Sequence, residues 1–373
     1  MFSNYSILQG RAAMFTLRRF AVFSCAAVCA HVAIAADAPL GPLPENNQGH
    51  LSAAVRIPFD LPALKANWRK RIEAIRASGT LPIIDIESSF NSKKLDLRSL
   101  AETMDESGLA LIAYSETLHN KSWTDAAARI VASDPWRFIP AGDGGNKVWS
   151  EAPEAFFAEN RKHLVADGYP IMGEYEFRHY PSPREYQRGE MHRDVDIPIN
   201  GKVGEALFSF AEESGLPFEI HYEIEDRLLP ALEEMLTKHP KAKVIWCHLA
   251  QTRYSQRSTI YGPDYVRKLI ERHPNLSFDV AFGGPNSKYP ANGEFHSRAW
   301  DAKSGRVKQE WIDLIAQHPW RFLAAMDLGG DRQDKADEHA EKLRRFLDNL
   351  PKGAREIVAY KAAWKLLFGE ELR

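Results

Sequence analysis

Pro217-Phe218-Glu219-Ile220-His221, then residues 227–238, then His239-Pro240, then Lys243-Val244-Ile245-Trp246-Cys247-His248: this stretch decides the fold. A short buried run ends in an imidazole. A longer segment with helical spacing follows, and a His-Pro pair stops it. A second buried run then ends in another imidazole. Short apolar runs bounded by breakers read as buried strands, and the amphipathic segment between them reads as a helix.

The same unit recurs on both sides. Upstream lie Leu81-Pro82-Ile83-Ile84-Asp85-Ile86, Leu109-Ala110-Leu111-Ile112-Ala113-Tyr114, Arg137-Phe138-Ile139-Pro140-Ala141 and Ile171-Met172-Gly173-Glu174-Tyr175. Downstream lie Leu276-Ser277-Phe278-Asp279-Val280 and Arg321-Phe322-Leu323-Ala324-Ala325-Met326-Asp327. Helical spacing spans residues 97–107, 203–214, 265–272 and 309–317, stopped by Gly108, Gly215, His273-Pro274 and His318-Pro319. Eight strands in this rhythm predict an α/β fold, a closed (β/α)8 TIM barrel. The rival is an open doubly wound sheet. It lacks its glycine-rich phosphate turn, because Asp85-Ile86-Glu87-Ser88-Ser89 follows the first strand without a glycine.

The 373 residues are 44% hydrophobic and 26% charged, enough apolar material for a large core. With 48 basic and 50 acidic residues the formal charge is −2. That balance gives no basic face for nucleic acid and no polybasic patch for a membrane anchor. The N-terminus reads as an export leader: Leu17-Arg18-Arg19 is a positive region, residues 20–34 are apolar, and Ala33-Ile34-Ala35 is a small-residue cleavage site. Met14 is an alternative start. Cleavage after Ala35 removes Cys25 and Cys29 and leaves Cys247 alone, so no internal disulfide can form. The expected division is a leader at 1–35, a lead-in and helix at 36–80, and the barrel at 81–373. The expected location is periplasmic or secreted.

Strand after strand terminates in a residue able to bind a metal. The first carries Asp85 and Glu87, the fourth Glu174 and Glu176, the fifth His221, the sixth His248 and the eighth Asp327. Such a side chain at the end of a buried strand costs desolvation energy unless something pairs with it. In a barrel the C-terminal strand ends converge on one mouth. Each residue alone has a structural reading: a packed histidine, a Glu174–Arg pair, Asp327 capping a turn. Their shared register points instead to a divalent-ion site.

These motifs, in this order over about residues 81–368, resemble the amidohydrolase superfamily, specifically amidohydrolase family 2, its decarboxylase-like branch. Gly173-Glu174 resembles the family's Gly-Glu on strand four. Ile220-His221 and Cys247-His248-Leu249 resemble the histidines ending strands five and six. Met326-Asp327 resembles the strand-eight aspartate, and residues 357–368 resemble the closing helix. Glu87-x-Ser89 stands where the family has His-x-His, a replacement similar to that of its aromatic-acid decarboxylases.

The resemblance implies one divalent ion, Zn or Mn, held by Glu87, His221 and Asp327. It implies Asp327 as proton carrier and His248 as donor to a developing oxyanion. Glu174, Arg178 and Arg253 are expected on the substrate, the arginines suiting a carboxylate or phosphate. Tyr175, Tyr222 and Trp246 flank the strand ends, and packing on the helical layer is their expected role. Residues 182–199 suit a lid, with His192 within it. His119 follows strand two in a similar position. The reading is an exported hydrolase of a small-molecule amide, lactone or ester. The alternatives are a non-oxidative decarboxylase and a metal-free barrel that binds a ligand. Barrels of this family often pair, so a homodimer is compatible with it.

Overall fold

The computed structural model describes residues 40–45, 54–117, 121–144 and 147–372. The leader at 1–35 and His119 lie outside the described residues. Eight parallel strands follow one another round a sheet: β1 Ile83–Phe90, β2 Leu109–Glu116, β3 Phe138–Gly142, β4 Ile171–His179, β5 Phe218–Tyr222, β6 Val244–Trp246, β7 Leu276–Asp279 and β8 Phe322–Leu323. Each pairs with the next in the chain, as in Ile112 with Phe138, Phe218 with Val244, and Phe278 with Phe322. Backbone bonds close the ring past the end of β8, with Ile86 N donating to Ala324 O at 3.0 Å and Asp327 N to Glu87 O at 3.0 Å. The expected TIM barrel is the observed architecture. No described helix is long and apolar enough to cross a membrane.

Local chemistry accounts for the elements. The helix Leu97–Ser107 starts where Asp96 Oδ1 accepts from Ser99 N at 3.0 Å, and it stops at Gly108 with φ +67°. Lys202–Ser214 ends the same way at Gly215, φ +72°. Among the described residues, three further helices of eight or more residues escaped the periodicity reading: Ala126–Ser133, Pro153–Asp167 and Ala336–Leu347. In Pro153–Asp167 the buried positions Phe156, Phe157, Asn160 and Leu164 mix polar with apolar, so no clean stripe marks it. The sixth and eighth strands are shorter than expected. His248 (φ +61°) and Asp327 (φ +47°) lie beyond them in left-handed backbone, a conformation that non-glycine residues adopt at a cost.

Two buried arginines knit the other end of the barrel. Arg71 donates to the carbonyls of Ala110 (2.8 Å) and Leu40 (2.8 Å) and pairs with Asp105 at 2.6 Å. Arg137 reaches Asp105 at 2.7 Å, Asp134 at 2.9 Å and the Pro42 carbonyl at 3.1 Å. On the sides, Trp246 Nε1 donates to Tyr222 O at 2.8 Å, and Tyr175 OH to Asn160 Oδ1 at 3.2 Å. Tyr175, Tyr222 and Trp246 are therefore packing residues, as expected, and none of them lines the central cavity.

Candidate metal centre

The C-terminal strand ends open into a cavity of about 570 Å³. At its floor three donor atoms form a small triangle. Glu174 Oε1 is 2.8 Å from His221 Nδ1 and 3.0 Å from His248 Nε2, and the two ring nitrogens are 3.1 Å apart. The outer nitrogen of each ring is already engaged. His248 Nδ1 stands 2.7 Å from the Ala281 carbonyl, which can only accept, so Nδ1 carries hydrogen. His221 Nε2 likewise faces Glu223 Oε1 at 3.1 Å. Both neutral rings would then point lone pairs at one another, an arrangement that a proton or a bound cation relieves. Donors about 2.0–2.1 Å from a tetrahedral zinc lie roughly 3.3 Å apart, close to the edges seen here. Outer nitrogens anchored by a carboxylate or carbonyl are the usual support of metal-binding histidines.

The charge around the triangle also calls for a cation. Glu87, Glu219 and Asp279 are buried, and each has an oxygen without a hydrogen-bond partner among the described residues. Burial and the neighbouring carboxylates, Asp279 and Glu174 among them, hold Glu87 and Glu219 well above the usual range. Burial alone would depress His248, but Glu174 outweighs it and pushes the imidazole up to about 10. Protons thus collect where positive charge is lacking. The residues fit a divalent ion.

This donor triangle differs from the ligand set implied by the resemblance, Glu87, His221 and Asp327. His221 meets Glu174 and His248, not Glu87 and Asp327. Glu87 lies beside the triangle, with Oε1 3.6 Å from His248 Nε2, and it forms further donor groups with His248 and Asp279 and with Glu174 and Cys247. Asp327 belongs to none of these groups. It stands on the cavity wall, its side chain 49% exposed and 3.2 Å from Arg332. Glu174, expected on the substrate, is central to the triangle instead.

Arg178 is not on the cavity at all. Glu225 at 2.8 Å and Asp194 at 2.5 Å draw its guanidinium away, and it stacks 3.6 Å from the centre of the Tyr180 ring. Arg253 does line the cavity, paired with Glu223 at 2.6 Å. It acts through that pair: burial opposes ionisation of Glu223, but Arg253 and His221 hold its carboxyl down to about 2. A chain of contacts thus runs from Arg253 through Glu223 to His221. Glu223→Gln is expected to weaken zinc affinity roughly 10–100-fold with the fold retained, read by competition with a chromogenic chelator. Unchanged affinity would mean that Glu223 does not orient His221.

Ser88 and Ser89 have their own work. Asp85 Oδ1 accepts from Met326 N at 2.8 Å and its Oδ2 from Ser88 Oγ at 2.5 Å, while Ser88 Oγ accepts from Leu328 N at 3.1 Å and Ser89 Oγ from Gly330 N at 3.2 Å. The hydroxyls stitch β1 to the loop carrying Asp327. Burial pushes the Asp85 carboxyl up to about 7.

Three contributors went unrecognised in the sequence. Asp279 holds the backbone N–H groups of His248 (3.0 Å) and Ala281 (2.9 Å), and Glu219 lies one strand period before His221. Arg193, from the segment 182–199, enters the cavity wall and pairs with Glu176 and with Glu185 at 2.8 Å. Its neighbour His192 is exposed.

Comparison with known proteins follows this geometry. No curated protein matches the chain. Among solved structures it resembles 2,6-dihydroxybenzoate decarboxylase from Rhizobium, with 12% identity over 77% of this chain and 99% of that one and a TM-score of 0.45. It also resembles a putative 2-pyrone-4,6-dicarboxylic acid hydrolase from Pseudomonas putida, with 13% identity over 79% and 99% and a TM-score of 0.46. A third likeness is to a zinc-bound amidohydrolase from Burkholderia multivorans, with 11% identity over 77% and 99% and a TM-score of 0.36. Likenesses this distant carry no residue roles. Residues 124–304, which include Glu174, His221 and His248 and make up just under half of the chain, match the family model described as Amidohydrolase.

Proposed function

We propose that this protein is an exported hydrolase that cleaves an amide, lactone or ester bond in a small molecule with one zinc or manganese ion. The observation that carries the reading is the triangle of Glu174, His221 and His248, with both outer ring nitrogens anchored. Glu87 would offer a further oxygen. Bound there, a divalent ion supplies Lewis acidity and brings water toward ionisation near neutral pH. Asp327 takes the proton from the attacking water and returns it to the leaving group. Its Oδ1 is held by Arg332, which leaves Oδ2 for the proton. His248 stays fixed by Ala281 throughout. The leader motif at residues 1–35 supports export.

The cavity wall supports hydrolysis over decarboxylation of an aromatic acid. Phe282 is the one carbocyclic ring among its described lining residues, so a benzoate would find little to stack on. The test is a panel of lactones and esters followed by acid release, and of amides followed by amine release, with zinc-loaded protein. Turnover that disappears in His221→Ala is expected. Release of CO2 from a carboxylic acid, with no hydrolysis across the panel, would overturn the proposal.

A further inference from the structure

Lys342 projects from the helix Ala336–Leu347 and lines the central cavity. Among the described residues no hydrogen bond or ion pair engages its ammonium, although burial acts against the charge. The other cations of the wall are committed or in water: Arg193 to Glu176, Arg253 to Glu223, Arg332 to Asp327, Arg188 to Glu190, with Arg184 exposed. An ammonium is strongly hydrated, and part-burying it without a partner is costly unless a ligand completes the site. Close by stands His296, 5% exposed, also on the cavity, with Nδ1 lacking any partner among the described residues. Burial, with Arg253 and Lys342 nearby, holds its ring down to about 4, so it is neutral and able to donate one N–H.

Each side chain borders one glycine of the pair Gly283-Gly284. A β-carbon on Gly283 would lie 3.1 Å from His296 Cε1, and one on Gly284 would lie 3.7 Å from Lys342 Cε. Side chains there would narrow the space that both residues border. We propose that Lys342 and His296, over Gly283-Gly284, form a binding site for a carboxylate group of the substrate. This rests on reading the cavity as the active site. A single negative charge suits the place. The wall also carries Glu87, Glu174, Glu219 and Asp327, which would repel a group with two charges on it, such as phosphate, more than a carboxylate with one.

The probe is succinate, titrated by calorimetry into zinc-loaded protein and, because carboxylates also ligate zinc, into metal-stripped protein. Succinamide and inorganic phosphate serve as comparisons. Succinate is expected to bind in both forms, succinamide not at all and phosphate more weakly. Lys342→Met is expected to weaken succinate at least ~10-fold, Lys342→Arg to keep most of the affinity, and His296→Ala to weaken it in the same direction. No succinate binding by the parent, equal binding of succinamide, tighter binding of phosphate, or parent-like affinity in Lys342→Met would each overturn the proposal. Zinc content measured on the same samples separates the two readings. Lys342-dependent succinate binding by a protein that takes up no zinc would leave the carboxylate site standing and remove the metal-dependent function.

Discussion

Replacing His221 or Glu174 by alanine is expected to empty the protein of zinc, while Asp327→Asn keeps about one equivalent. The triangle holds its three donors within 3.1 Å of one another, so each substitution removes a third of it. Losing a partner in the outer shell of a metal site costs roughly 10–100-fold in affinity, and losing a direct donor is expected to cost more. Asp327 stands on the wall beside Arg332, where asparagine preserves shape and removes only the proton acceptor. Its loss should appear in turnover, by the ~10²–10⁴-fold usual for a general acid–base group. Elemental mass spectrometry after dialysis without chelator reads the metal. The reverse pattern, zinc retained in Glu174→Ala and lost in Asp327→Asn, would restore the ligand set implied by family resemblance.

The second large effect lies at the opposite end of the barrel. Arg137→Ala is expected to lower stability by about 3–5 kcal/mol, because it leaves Asp134 unpaired at a buried position and Asp105 with Arg71 alone. Asp134 is 2% exposed, and Asp105 is shared with Arg71. The same guanidinium holds the Pro42 carbonyl, so residues 40–45 lose a tether too. Urea unfolding followed by far-ultraviolet circular dichroism measures the change. Adding Asp134→Asn to Arg137→Ala should recover part of the loss, since the stranded charge goes with it. A shift below about 1 kcal/mol would show that water repairs the site.

The barrel was legible because its signals are local. Gly108 and Gly215 stop helices by their own backbone freedom, and β-branched runs mark strands wherever they occur. Convergence of Glu174, His221 and His248 on one mouth was readable from strand ends alone. Which of them stand within a few ångströms of one another was not. That depends on the partners met just past the strands, where His248 and Asp327 are both left-handed but His248 meets Glu174 and Asp327 meets Arg332. Arg178 misled for a related reason: its partners Glu225 and Asp194 come from distant loops. Asp279 and Glu219 were hidden inside strands buried on both faces, where a charged residue interrupts an apolar run without marking which side it faces.

An ion bound at the proposed site would also stabilise the folded chain against the crowding of its own carboxylates. With Glu87, Glu219 and Asp279 confined together, an ion that binds the native state but not the unfolded one acts as a folding ligand. At free metal a thousand times the dissociation constant the linkage amounts to about 4 kcal/mol, a large share of the stability of an ordinary domain. Melting temperature then becomes a gauge of the surrounding ion supply. Scarcity of metal would thin the population of folded molecules as well as silence them, so abundance and activity would fall together.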